Sequence, residues 1–457
     1  MDVFESIADR SPAGIAAAVG TAVRSGHLAT GARLPTVRDV ALRLGVSPAT
    51  VSGAWRALGE AGLVQARGRA GTFVLPQTTS WLPPRYADLA QGAQVPYRLD
   101  VSSGTPDPQL LPPVGQAFAR LARRTAGATA STYLGQPVLA PLEKRLRAAW
   151  PFVPEALTVV DGAMDGLSRT LDVLVGLGSR VAVEDPGFPP FFDLLDALGA
   201  QRVPVPLDAD GMTPEGLRAA LDDGCDVVLV QPRAQNPTGA TLSDVRVHEL
   251  AAVVRRHRRG ADVTVVEDDH SGAVCGTAET SLGTLLPGQV VHVHSYSKSH
   301  GPDLRIAAVG GPARVVEALV ARRMLGPGWT SRMLQSILLD LLTDAAAQDQ
   351  VRTARAAYRT RQRELSRAMA ARGLVVAPRD GLNMWVPVTD ERAALVHLAA
   401  QGVRAAPGRP FRAAALTGRG TPGDDDAARP GHLRVSVGLV RDSYDQLGAL
   451  LASAARA

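Results

Sequence analysis

Apolar positions recur at helical spacing three times within the first sixty residues. Ile15, Val19 and Val23 fall four apart, so residues 12–26 predict a helix with Gly26 as its stop. Thr36, with Asp39 three residues on, has the spacing of a capping box ahead of the stripe Val37, Val40, Ala41 and Leu44, which Gly45 ends. Ser47 then caps a third helix whose first position is Pro48, where a missing N–H costs nothing. In that helix Val51, Trp55 and Leu58 face inward, and Ala49, Ser52, Gly53 and Arg56 face outward. Gly62-Leu63-Val64-Gln65, the turn Arg67-Gly68-Arg69-Ala70-Gly71 and Thr72-Phe73-Val74 read as a short hairpin. Short helices around a tight turn, followed by a basic hairpin, are the parts of a winged helix-turn-helix.

The pattern changes after residue 76. Residues 77–98 carry Pro83, Pro84 and Pro96 among polar positions, the composition of a semi-extended linker. From residue 99 to 457 strand-like and helix-like runs alternate. Arg180–Val183, Asp226–Val230, Asp262–Glu267 and Val290–His294 read as strands, and Ser243–Arg259 as a helix. Alternation of this kind predicts an α/β domain with a mainly parallel central sheet covered by helices. The glycine- and aspartate-rich run at 417–432 reads as a mobile loop.

Composition narrows the setting. The chain has 457 residues, 46% of them hydrophobic and 20% charged, which fits more than one folded domain and excludes a disordered chain. No run of about 18 uncharged apolar residues suggests a membrane span, and the N-terminus lacks signal-peptide features, so a cytoplasmic protein is expected. Cys225 and Cys275 have no metal-ligand spacing and read as inert thiols. Net charge is only +5. Residues 1–76, however, hold eight arginines against five acids, an excess suited to a phosphate-facing module. Lysine occurs only at Lys144 and Lys298, whereas Lys and Arg together number 49. A lysine kept where arginine has replaced the rest points to a need for an amine.

Pyridoxal 5'-phosphate (PLP) requires an amine for a Schiff base, an acid for the pyridine nitrogen, a phosphate cradle and an aromatic face. Lys298, in Ser295-Tyr-Ser-Lys-Ser-His-Gly-Pro-Asp-Leu-Arg305, follows an apolar strand and is the candidate amine. Lys144 lies in a charged helical run and reads as a solvated surface residue. Arg305 offers a guanidinium fork to the phosphate, with hydroxyls from Ser295 and Ser297. Gly162, Ala163 and Met164 open a helical run whose N–H groups suit an anion. Asp268, at the end of a strand, is the candidate for the ring nitrogen. Asn236 can donate to the ring oxygen, and Phe188 is the candidate stacking ring.

Leu34 to Val51, with Gly71-Thr-Phe-Val, resembles the GntR family over residues 11–75. The resemblance implies DNA contacts from Arg38, Ser47, Thr50, Arg67, Arg69, Gly71 and Thr72. Pro48 and Ser52 stand where basic residues are common in that family. From about residue 100, the Asn-Pro-Thr-Gly box and the Ser-x-Ser-Lys…Arg box resemble the fold type I aminotransferases of subgroup I. That resemblance implies that Arg434 binds a substrate α-carboxylate and that Tyr133 reaches the phosphate of a neighbouring subunit. The glycine usual shortly after that tyrosine is missing. His270 stands where a tyrosine is usual near the ring oxygen and can still hydrogen-bond.

The two parts together resemble the MocR subfamily of GntR-type regulators. That implies a head-to-tail homodimer, an operator in double-stranded DNA, and a signal that is an amino acid, an amine or PLP, sensed through an aldimine at Lys298. Chemistry limited to transaldimination or a half-reaction is expected. The alternative is a working class I/II aminotransferase carrying a DNA-binding fusion, since its catalytic parts stand in order.

Overall fold

The computed structural model describes the chain apart from residues 1–3, 5, 6, 8, 25, 61, 62, 67, 69, 70, 76–81, 91–95, 126–132, 134 and 414–429. The described residues form two compact units. One comprises residues 1–87, 175–181 and 189–203, and the other 88–174, 182–188 and 204–457.

The first unit begins with α1 (Pro12–Arg24), α2 (Val37–Leu44) and α3 (Pro48–Glu60), followed by the antiparallel hairpin β1 (Val64–Ala66) and β2 (Thr72–Val74). Thr36 and Asp39 cap α2 reciprocally, and Gly45 closes it in the left-handed conformation, as their spacing predicts. Ser47 Oγ accepts the Thr50 N–H at 3.1 Å at the start of α3. Ile15, Val19, Val40, Leu44, Val51, Trp55 and Leu58 bury one shared core with Val64 and Val74 of the hairpin. Arg33 bridges to Phe73 and lays its guanidinium across Gly71. A Cβ on Gly71, whose φ is +108°, would lie 2.6 Å from Arg33 Nε, so the wing turn is built for glycine.

The expected extended linker contains a helix, α4 (Pro84–Ala90). The reason is its N-terminus. Both the Arg85 and Tyr86 N–H groups donate to Asp193, and Arg85 Nη1 donates to Asp196 at 3.0 Å. The Arg85 guanidinium also lies 5.3 Å from the centre of the Phe192 ring.

Further along, β3 (Leu99–Asp100) precedes an eight-stranded sheet. Its strands are β4 (Ala156–Val160), β5 (Arg180–Asp185), β6 (Gln201–Asp208), β7 (Gly211–Met212), β8 (Val227–Val230), β9 (Thr264–Asp269), β10 (Val290–Ser295) and β11 (Ala307–Gly311). They are ordered β4-β11-β10-β9-β8-β5-β6-β7. β9 runs parallel to both β8 and β10, whereas β11 is antiparallel to β10 and β4. Fully buried runs such as Val227–Val230 are what a sheet covered on both faces requires. Beyond the long helix Ala345–Ala370, β12 (Asn383–Val388), β13 (Val403–Arg404), β14 (Ala406–Pro407) and β15 (Gly431–Ser436) complete the strands. β12, β15 and β14 form a small antiparallel sheet with its own apolar core, and β13 pairs with β3. Most of the run expected to be a loop, residues 417–432, lies outside the described residues, while Gly431 and His432 already belong to β15.

Both cysteines are buried thiols. Burial pushes the Cys275 thiol up to about 12, which suits an inert thiol. Among the described residues no helix is long and apolar enough to cross a membrane.

Candidate cofactor site

The parallel register of β9 and β10 sorts the charged residues at their ends by face. Asp268 pairs with Val293, whereas Glu267 and Asp269 pair with His292 and His294. Successive side chains alternate faces. Glu267, Asp269, His292 and His294 therefore share one face, and Asp268 is left to the other. On the first face His292 Nδ1 lies 2.7 Å from Glu267, and His294 Nδ1 lies 3.0 Å from Asp269. Arg233 pairs with Asp269 at 2.5 Å. Burial alone would raise the Asp269 carboxyl. The His294 hydrogen bond and the Arg233 charge outweigh it and hold the group well below the usual range.

On the other face Asp268 is buried, and burial pushes its carboxyl up to about 7. Gln231 Nε2 donates to its Oδ2 at 2.8 Å, but Oδ1 is buried without a hydrogen-bond partner among the described residues. Lys298 follows β10 by three residues, and its Nζ donates to the Gly104 carbonyl at 2.7 Å. Burial, and then the nearby Arg434 guanidinium, lower the Lys298 amine to about 8. Arg434 projects from β15, 3% exposed. Its Nη1 donates to Asn236 Oδ1 at 3.4 Å and its Nη2 to the Ser102 carbonyl, while the guanidinium lies 5.1 Å from the centre of the Phe411 ring.

A third cluster stands at the start of the helix Ala163–Leu174. Gly162, at φ +95°, lies against the Arg305 guanidinium, and a Cβ there would be 3.1 Å from Cζ. Arg305 itself has φ +50°, a conformation costing an L residue on the order of 1–3 kcal/mol and typical of functional positions. Ser295 ends β10 and its Oγ accepts the Ser297 N–H at 3.3 Å. A guanidinium beside a helix N-terminus forms an anion cradle. An amine, a buried acid lacking one partner and this cradle fit PLP.

Comparison with known proteins agrees with this chemistry. Residues 98–448 match the aminotransferase class I and II family, and residues 13–74 match the gntR family of bacterial regulatory proteins. The chain is 33% identical over 416 residues to the vitamin B6 salvage pathway transcriptional repressor PtsJ of Salmonella typhimurium, covering 90% of each chain. It is 31% identical over 428 residues to the regulator TauR of Rhodobacter capsulatus, covering 85% of this chain and 87% of that one.

The chain belongs to the MocR-type GntR regulators.

In fold, the large domain of this MocR-type chain is similar to LysN, the α-aminoadipate aminotransferase of Thermus thermophilus. The TM-score is 0.68 at 22% identity, over 81% of this chain and 95% of that one. The cofactor of this MocR-type regulator is PLP, and its winged helix binds DNA.

Lys298 interacts electrostatically with Asp268, His270 and Arg434, Arg434 reaches Asn236, and Gly162 lies separately against Arg305. Phe188 is half-buried, and the Gly187 N–H beside it is fixed to the Phe411 carbonyl at 2.8 Å. His270 Nε2 lies 2.9 Å from the Ala234 carbonyl, and burial, then the Lys298 charge, lower its imidazole to about 4, leaving it neutral. Tyr133 is 84% exposed, its ring centre 6.2 Å from that of Trp329. Lys144 is exposed on the helix Ala140–Ala148. In the DNA-binding part Arg38 and Ser47 are exposed, and Thr50, Gly71 and Thr72 are half-buried. The Ser47 and Thr50 hydroxyls lie 2.8 Å apart. Arg67 and Arg69 lie outside the described residues. Sequence reading missed Gln231, Arg233 and Glu184, because ordinary polar residues at strand ends carry no motif of their own.

Proposed function

We propose that this regulator controls vitamin B6 metabolism, with occupation of its large domain by PLP as the signal that alters operator binding. Arg434 donates to the Ser102 carbonyl and to Asn236 Oδ1 and lies against the Phe411 ring before any ligand binds. The observation that carries this reading is the buried Asp268 carboxyl. Its Oδ1 is buried and has no hydrogen-bond partner among the described residues. A buried acceptor without a partner costs about 1–3 kcal/mol, which a protonated ring nitrogen would relieve. The kinship with a vitamin B6 salvage repressor supports the same reading, as does the 28% identity to the pyridoxine biosynthesis regulator PdxR of Corynebacterium glutamicum.

In this reading Lys298 supplies the amine that holds PLP, and Asp268 keeps its ring nitrogen protonated. Arg305, Ser295, Ser297 and the N–H groups of Gly162, Ala163 and Met164 take the phosphate. Asn236 and His270 border the ring oxygen, and Phe188 faces the ring. When bound, PLP supplies an electrophilic carbon and an electron-withdrawing ring. Arg38, Ser47, Thr50, Gly71 and Thr72 meet operator DNA in the cytoplasm, with Arg67 and Arg69 of the wing. The exposure of Tyr133 supports a homodimer in which it completes the partner's phosphate site, in head-to-tail arrangement. The domain limits 1–76, 77–98 and 99–457 go with this division of labour.

A second reading, an α-amino carboxylate as signal, is favoured by the Arg434 charge that reaches Lys298. PLP can act on DNA affinity only by preferring one arrangement of the chain, and a coupling of about 1–3 kcal/mol suffices. The test is operator affinity of the wild type, Lys298→Ala and Arg434→Ala, each without cofactor, with PLP, and with PLP plus an amino acid. PLP alone is expected to shift wild-type affinity about five- to 150-fold and Lys298→Ala much less. A wild type indifferent to PLP but responsive to an amino acid, with that response lost in Arg434→Ala, would make the second reading the right one.

A further inference from the structure

Gln231 stands just beyond β8 and is 2% exposed. Its side-chain amide is used at both ends. Nε2 donates to Asp268 Oδ2 at 2.8 Å, and Oε1 accepts the Asn236 N–H at 2.8 Å. Its own backbone N–H donates to Glu184 Oε2 at 3.2 Å. The orientation of the amide is forced by its neighbours. Turned over, it would set an oxygen against a carboxylate and an NH₂ against an N–H. A primary amide of this length offers a donor and an acceptor to those two partners together.

We propose that Gln231 is the positioning residue of the cofactor site, its single amide holding Asp268 for the ring nitrogen and Asn236 for the ring oxygen at a fixed separation. The inference rests on the reading of Asp268 as partner of the ring nitrogen. Two consequences follow from the geometry. By occupying Oδ2, Gln231 leaves only Oδ1 to meet the ring, which fixes the direction of approach. By donating a hydrogen bond, it also favours the ionised carboxylate against the burial that raises Asp268. Glu184 does not compete with this, because burial pushes its carboxyl up to about 8 and keeps it neutral at pH 7.

The experiment compares the affinity of the cofactor-free full chain for PLP and for the PLP analogue with CH in place of the ring nitrogen. The two ligands differ only where Asp268 acts. Wild type is expected to prefer PLP. Gln231→Met, close in length but without donor or acceptor, should lose about tenfold to a hundredfold in PLP affinity and little for the analogue. That is the range for a hydrogen bond to a charged group. A merely structural role would weaken both ligands alike and leave their ratio unchanged, so a wild-type ratio in Gln231→Met overturns the proposal. If that variant does not fold, Gln231→Leu gives the same readout, with neither donor nor acceptor where the amide stood. Asp268→Asn separates the levels of the argument. If it loses the preference while Gln231→Met keeps it, only the Gln231 inference fails. If it keeps the preference, the ring-nitrogen reading fails and the Gln231 inference falls with it.

Discussion

The DNA-binding helices and the cofactor site use the same polar chemistry over very different spans of chain. In the former, Thr36 bonds Asp39 and Ser47 bonds Thr50, each three residues apart and exposed. In the latter, Gln231 reaches Asp268 across 37 residues, Lys298 reaches Gly104 across 194, and Arg434 reaches Asn236 across 198. Local exposed bonds fix where a helix starts and are individually small. Distant buried bonds exist only once the whole domain has formed, and each holds a charge or dipole that has lost its water. Damage should therefore be mild in the first region and severe in the second.

The strongest test of that contrast is Arg233→Met. It leaves Asp269, 0% exposed, without its arginine. Breaking a buried pair from one side costs about 3–5 kcal/mol, read as a lower midpoint in urea unfolding of the large domain. A loss below about 1 kcal/mol would show that His294 alone can hold the charge, and the contrast would weaken.

An intermediate effect is expected from pH. Only the unprotonated Lys298 amine can bond to PLP, and burial and Arg434 lower it from 10.5 to about 8. Loading measured by rapid-mixing absorbance should rise roughly fivefold from pH 7 to 8 and level off above, as a single titration with that midpoint requires. Arg434→Ala removes a neighbouring positive charge and should move the midpoint upward. The sign for stability follows from the same shift. Between about 8 and 10.5 the unfolded amine keeps a proton that the folded one has released, so the cofactor-free chain gains stability as pH rises through that window. A midpoint near 10.5 would contradict the burial of this amine.

The smallest effect belongs to the DNA-binding end. Thr36→Ala removes the cap of α2 and should cost about 1 kcal/mol, the usual value of such a cap. It should leave PLP binding untouched. A loss as large as that of Arg233→Met would erase the distinction between the two regions.

The same contrast explains what could be read from sequence. The capping box at Thr36, the left-handed Gly45 and the inward Val51, Trp55 and Leu58 are written within a few residues of one another, and periodicity found them. Strand cores such as Val227–Val230 were legible because a buried strand is a continuous apolar run. Lys298, Asp268, Asn236 and Arg305 stand out as candidates because their residue types are rare or motif-bound. The helix at Pro84 was not legible. Its cap comes from Asp193, more than a hundred residues away. Gln231 was missed for the same reason, since nothing near it in the chain marks a glutamine that will bridge Asp268 and Asn236.

The near-absence of lysine matters for how cleanly such a protein can count its cofactor. PLP is an aldehyde, and free surface amines take it up indiscriminately. A chain of ordinary composition would present dozens of lysine decoys, each giving a yellow adduct unrelated to regulation. Here arginine carries the positive charge of the surface, and a guanidinium does not compete for an aldehyde under these conditions. Lys144 is the sole lysine besides Lys298, and it is exposed, so it should hold any PLP only loosely. An absorbance titration of this regulator is therefore close to a direct reading of one site, with Lys144→Arg available as the blank.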